Sequence, residues 1–160
     1  MEQVLGALVA STAVLEGECH LSDGVSVWWS SVLRGDDAPI FVGEGTNIQD
    51  LCMVHADPLV PLRIGRDVTV GHNATIHCKC IGDRCLVGIS SSLLAGVEVG
   101  DDSIVAAGAV VPEGMIVPSR VMVAGVPARI KRDVRPEEID VAVQRAQKYW
   151  REARRRAGLL

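Results

Sequence analysis

From Ile64 onward an aliphatic residue returns about every six positions. The units read IGRDVT, VGHNAT, a five-residue IHCKC, then IGDRCL, VGISSS, LLAGVE, VGDDSI, VAAGAV, VPEGMI and VPSRVM. The second place is often glycine. The fifth is small or β-branched: Val68, Ala74, Cys80, Cys85, Ser91, Val97, Ser103 and Ala109. The frame continues upstream through LEGECH, LSDGVS, VWWSSV, VGEGTN and IQDLCM, and is broken by long units at Leu33–Phe41 and Val54–Arg63. A six-residue period opened by an aliphatic predicts a parallel β-helix, in which three short strands make one triangular coil of about 18 residues.

At Pro136 the period changes. Apolar residues at 139, 142, 143, 146, 149, 150 and 153 have helical spacing. Proline suits a first helical position, Glu137, Glu138 and Asp140 suit the first turn, and Arg154 to Arg156 suit the last. The chain therefore divides into an all-β domain, 1–135, and one amphipathic helix within 136–160 packed against it.

Composition supports this division. The chain is 48% hydrophobic but 3% aromatic, with 16 glycines, so its core is built from Val, Ile, Leu and Ala. Residues 1–128 carry 15 acidic and 6 basic side chains, whereas 129–160 carry 5 acidic and 10 basic. The basic end reads as a solvated helix face; no aromatic-interleaved basic stripe points to nucleic acid. The apolar run VLGALVASTAV is too short to span a bilayer, and no Lys or Arg precedes Arg34, so neither a membrane partner nor a signal peptide is expected. Five cysteines is an odd number for a disulfide scaffold and suits a reducing, cytoplasmic compartment.

Three of the four histidines fall in VHADPLVPLRIGRDVTVGHNATIH, at 55, 72 and 77. If the unit 54–63 is one face plus a loop, His55 and His77 share the second position of one face, one coil apart. Stacked strands lie about 4.8 Å apart, so both imidazoles reach a common ion. Arg34 occupies the same column one coil earlier. His72 falls on another face, in the third position, above Asp50. A three-histidine site then requires a second chain, and a heterologous contact closing as a homotrimer suits a triangular prism.

VLRGD at 32–36, NIQD at 47–50, VHADP at 54–58, VTVGHNATIH at 68–77 and IGDRCLVG at 81–88 resemble the gamma-class carbonic anhydrases, over nearly the whole chain. The resemblance implies a left-handed hexapeptide β-helix. It implies a homotrimer binding Zn2+ (or Fe2+ or Co2+) through His55 and His77 of one subunit and His72 of the next. It implies reversible hydration of the small molecule CO2 to bicarbonate by a metal-bound hydroxide. Arg34 and Asp50 match a pair that bridges subunits, with Asp36 in the same network. Gln49 matches the residue that orients the hydroxide, and Asp37 stands where a glutamate assists proton transfer. The loop after His55 is short, with Asp57 as its one acid, and Cys78 and VGISS at 87–91 depart from the usual pattern. The alternatives are a CoA-thioester hydrolase or acyl-transfer enzyme of this fold, and a metal-binding trimer with little hydration activity.

Other residues read more plainly. Cys80 and Cys85, in fifth positions, are expected in the core, and Cys78 beside the metal. His20 has no partner in register and belongs on the surface. One of Trp28 and Trp29 packs while the other faces out. Tyr149 packs the helix, and the resemblance implies a tyrosine here that can approach the site.

Overall fold

A computed structural model describes residues 1–4 and 6–160. The repeat folds as a three-sided parallel β-helix. On the first face Leu15, Leu33, Val54, Ile76, Leu93 and Val111 stack in register. The second carries Leu21, Val42, Ile64, Ile81, Val99 and Val117. The third runs from Val9 through Val27, Ile48, Val70, Val87 and Val105 to Val123. Nearly every one of these aliphatics is buried, together with the fifth-position residues Val68, Ala74, Cys85, Ser91 and Val97. Each rung repeats the one below it, so a ring would leave its neighbours unfilled; this is why the interior holds none.

The two long units decide where the histidines stand. The nine-residue unit lies within one strand, Val32–Val42, that bends from the first face onto the second. It pairs at one end with Met53–His55 and at the other with Leu62–Ile64. Residues 56–61 are thus a corner loop, and the ten-residue unit is a single face plus that loop. Close packing at a corner restricts the residue after the aliphatic. A Cβ added to Gly43 would stand 2.6 Å from the carbonyl carbon of Gly65, which no side chain tolerates.

Both ends are closed by antiparallel pairs. Glu2–Val4 covers Ala7–Val9, and Arg129–Asp133 covers Val121–Ala124. Capping of this kind hides unpaired strand edges. The N-terminal apolar run supplies Ala7 and Val9 to the interior, and Leu8 to a second cluster with Trp28 and Ala153.

The helix, α1, spans Pro136–Arg156. At its start the Glu138 carboxylate accepts from the Arg135 backbone N–H at 3.0 Å and from both terminal nitrogens of Arg132, at 2.7 and 2.8 Å. These contacts hold its carboxyl far below the usual carboxylate range, the Arg132 hydrogen bonds contributing most. Ala142, Ala146 and Ala153 are buried, letting α1 lie close to the third face. Trp28 is buried beneath its end while Trp29 is half-buried. Among the described residues no helix is long and apolar enough to cross a membrane.

The five-residue unit corrects two expectations. Cys80 pairs with Arg63 and Glu98, in a column facing outward, and is half-buried. Cys78 instead turns into the core and is 3% exposed. The missing residue falls between His77 and Cys80, so Cys78 takes the inward corner place that the fifth residue holds elsewhere. His20 is exposed as expected, but it has a partner in register: it stacks on Phe41, with ring centroids 4.7 Å apart.

Candidate functional site

His55 follows Val54, and His77 follows Ile76; because the two aliphatics pair in register, both imidazoles leave the first face in one column. Their rings stack, with centroids 5.2 Å apart and planes 18° apart. Arg34 pairs with His55 one coil earlier. The Nδ1 of His77 lies 3.1 Å from the His55 carbonyl oxygen. A carbonyl only accepts, so Nδ1 carries a proton, while Nε2 faces the Asp57 carboxylate.

Carboxylates surround these two rings. Asp57 Oδ1 stands 2.8 Å from His77 Nε2, and Asp37 Oδ2 stands 3.1 Å from His55 Nε2. Asp36 Oδ1 lies 3.6 Å from the same nitrogen. Ligand atoms of Asp36, Asp37 and His55 all fall within 4.8 Å of one another. Arg34 donates to Asp36 Oδ2 at 2.9 Å, and this hydrogen bond holds the Asp36 carboxyl below its ordinary range.

His72 belongs to a different surface. Ile48 pairs with Val70, which sets Asp50 and His72 one coil apart on the third face. Asp50 Oδ2 lies 2.8 Å from His72 Nδ1, which leaves Nε2 with the lone pair. Gln49 is buried. Its Oε1 accepts from the His72 backbone N–H at 3.2 Å, and its Nε2 donates to Asn47 Oδ1 at 3.2 Å. Asn47 in turn donates to Thr69 Oγ1 at 2.9 Å. The Tyr149 hydroxyl stands 3.3 Å from His72 Nε2, and its ring meets Trp28 edge-on at 5.0 Å. Burial raises the Tyr149 pKa, with Asp50 adding to it.

The fold thus brings His55 and His77 together with Asp36, Asp37 and Asp57, and keeps His72, Asp50 and Gln49 on another face. Asn47 is a member of this network that sequence reasoning missed. Its one signal is its place: a polar sixth residue, just before Ile48, whose side chain leaves the face on the same side as Gln49. The reach of Tyr149 to His72 agrees with what the resemblance implies and is invisible in helical periodicity alone.

The group on the first face offers histidine nitrogen and carboxylate oxygens within 4.8 Å of one another, donors that zinc and its first-row neighbours accept.

Residues 80–112 match the family model described as the hexapeptide repeat of succinyl-transferase. A hexapeptide transferase family protein from Anaplasma phagocytophilum superposes with a TM-score of 0.82 at 35% identity, covering 94% of this chain and 92% of that one. The molecule is therefore a left-handed β-helix protein of the hexapeptide-repeat class. Over 149 residues the chain is 40% identical to gamma carbonic anhydrase 1, mitochondrial, of Arabidopsis thaliana, covering 89% of this chain and 54% of that protein. It thus spans about half the length of that relative. Over 141 residues it is 38% identical to a Methanocaldococcus jannaschii protein named "Probable carbonic anhydrase", covering 88% of this chain and 89% of the other. The chain belongs to the gamma carbonic anhydrase family.

Proposed function

We propose that the protein is a homotrimeric, metal-dependent lyase that hydrates CO2 to bicarbonate at sites shared between subunits. The observation that carries this reading is the split of the three histidines. His55 and His77 stack on one face, while His72 stands on another with its Nδ1 committed to Asp50. Family membership supports a metal, and the donor set fits zinc, with iron(II) or cobalt(II) as alternatives. His55 and His77 of one subunit and His72 of the next would hold it. When bound, the metal supplies the Lewis acid that makes water a nucleophile near neutral pH.

The chain's own residues do the rest. Asp50 engages Nδ1 of His72 and the His55 carbonyl engages Nδ1 of His77, which leaves Nε2 as the nitrogen for the metal, with Asp57 yielding its place at His77 Nε2 to the ion. Gln49, clamped by Asn47, steadies the backbone at His72 and forms one wall for the reacting oxygen. Asp37 is part exposed, so its carboxylate beside His55 can exchange protons with bulk water. Arg34 and Asp50 stand at the edges that the subunits would share, and their charges favour a fixed docking register. All five cysteines are unpaired, which agrees with a reducing cytoplasm.

Stopped-flow CO2 hydration by metal-replete protein, beside His72→Ala, tests the activity. Hydration above background that the variant lacks is the expected outcome. A metal-replete trimer without hydration would leave the metal-binding reading. Acyl transfer is a second reading, favoured by the open cleft of about 780 Å³ between α1 and the third face. It is weaker because the histidines it needs as a base are the metal's.

A further inference from the structure

Among the described residues, the non-glycine residues in the left-handed region are Ser, Asp, Asn or Arg, apart from Leu51 and Leu59, each at φ 63°. A leucine there crowds its Cβ against a carbonyl oxygen and has no short polar arm to compensate. The column of Leu51 shows the contrast. Its backbone N–H donates to the Trp29 carbonyl at 3.0 Å, one coil earlier. Asn73, Ser90 and Gly108 turn the same corner on later coils with the same bond, and all three suit the left-handed region. Both leucines are exposed as well. Leu51 is 60% exposed, and Leu59, at 92%, is the most exposed large apolar side chain among the described residues. Nothing within one chain offsets either the strain or the exposure. Local rules broken without a local gain mark positions whose gain lies elsewhere.

Their places in the fold say where. Leu51 and Leu59 flank the strand Met53–His55 on a single coil, one at the corner that enters the first face and one in the loop that leaves it. Leu51 follows Asp50, whose carboxylate holds His72. Leu59 comes four residues after His55, and its N–H lies 3.5 Å from the Asp37 carbonyl oxygen. Each half of the divided histidine set therefore has one strained, exposed leucine beside it. A ring of parallel prisms is generated by rotation without translation along its axis, so its subunits meet at equal height. The corner that opens a coil in one chain then faces the loop of that same coil in the next.

We infer that Leu59 of one subunit packs against Leu51 of the next, an apolar latch that holds a second copy of this chain in register beside the metal site. The inference rests on the shared-site reading proposed above and adds the contact that would close it. Burying both leucines removes their exposure, and the loop conformations that present them become useful only in the assembly.

Asparagine is polar and enters the left-handed region readily. Leu51→Asn and Leu59→Asn therefore relieve both local faults, and each chain should fold as well as the wild type, checked by circular dichroism. Subunit exchange between trimers carrying donor or acceptor dyes at the amino terminus reads the latch, at a temperature where wild-type exchange is measurable. Each variant should exchange at least about tenfold faster than the wild type, the loss expected on removing one buried leucine contact. The double variant should exchange no more than about threefold faster than the quicker single variant, because the two leucines share one contact. Ile116 is 69% exposed on the second face, and Ile116→Thr should exchange as the wild type does. A wild-type trimer whose leucine variants exchange no faster would overturn the latch and leave the shared metal site standing. So would effects that multiply in the double variant, or equal acceleration by Ile116→Thr. A wild type that sediments as a monomer would overturn both the latch and the shared site.

Discussion

Asp50 acts on the site through His72. Its carboxylate sits 2.8 Å from Nδ1 and so decides which nitrogen keeps the lone pair. Asp50→Asn keeps the shape but weakens that control. Loss of such a partner commonly costs 10–100-fold in metal affinity, roughly, and chelator competition should find a drop of about that size. The cysteines make a second prediction at this scale. Burial pushes the Cys52 and Cys85 thiols up to about 11 and about 12, and raises Cys78 further. Cys19 and Cys80 are half-buried and raised less. A native thiol titration should modify Cys19 and Cys80 first, with the other three reacting only on unfolding. The register of His55 over His77 could be read from the sequence because a hexad fixes which residues share a column. The places of Cys78 and Cys80 could not, because a five-residue unit does not reveal where its missing residue falls. Asn47 was hidden for another reason: an outward polar residue resembles any solvated position until its bond to Gln49 is seen.

Among the elements, the rungs carry the stability and α1 carries a pH dependence. Ile76 is fully buried beside the histidine column. Ile76→Ala should cost about 2–5 kcal/mol, as large-to-small core changes do, measured by urea unfolding. Glu138 gives the other prediction. Its folded pKa is depressed below the ordinary 4.5, so its contribution is present above that value and is lost as pH falls below it. The melting-temperature gap between the wild type and Glu138→Gln should be open at pH 7 and narrow on acidification through pH 4. The span of α1 was legible, since apolar spacing and Pro136 mark where a 3.6-residue period replaces the hexad. Its clasp onto Arg132 was not, because Arg132 lies six residues before Glu138, in the preceding strand.

In the proposed reading a single chain holds only part of the metal site. One prism presents two imidazoles on one face and the third on another, because three faces divide what the linear sequence crowds together. The separation of His72 from His55 and His77 was legible from that count. The edge-on contact of Trp28 with Tyr149 under α1 was not, since it joins residues more than a hundred positions apart. The most direct test of the account mixes two inactive variants, His72→Ala and His77→Ala, by co-refolding them at equal ratio. Each homotrimer lacks one nitrogen at every interface and should bind little metal. In mixed trimers, an interface that takes His55 and His77 from the first variant and His72 from the second is intact. Random closure of rings makes about a quarter of interfaces intact, so metal content and CO2 hydration should return to about a quarter of wild type. If the three histidines served a site within one chain, mixing would restore neither.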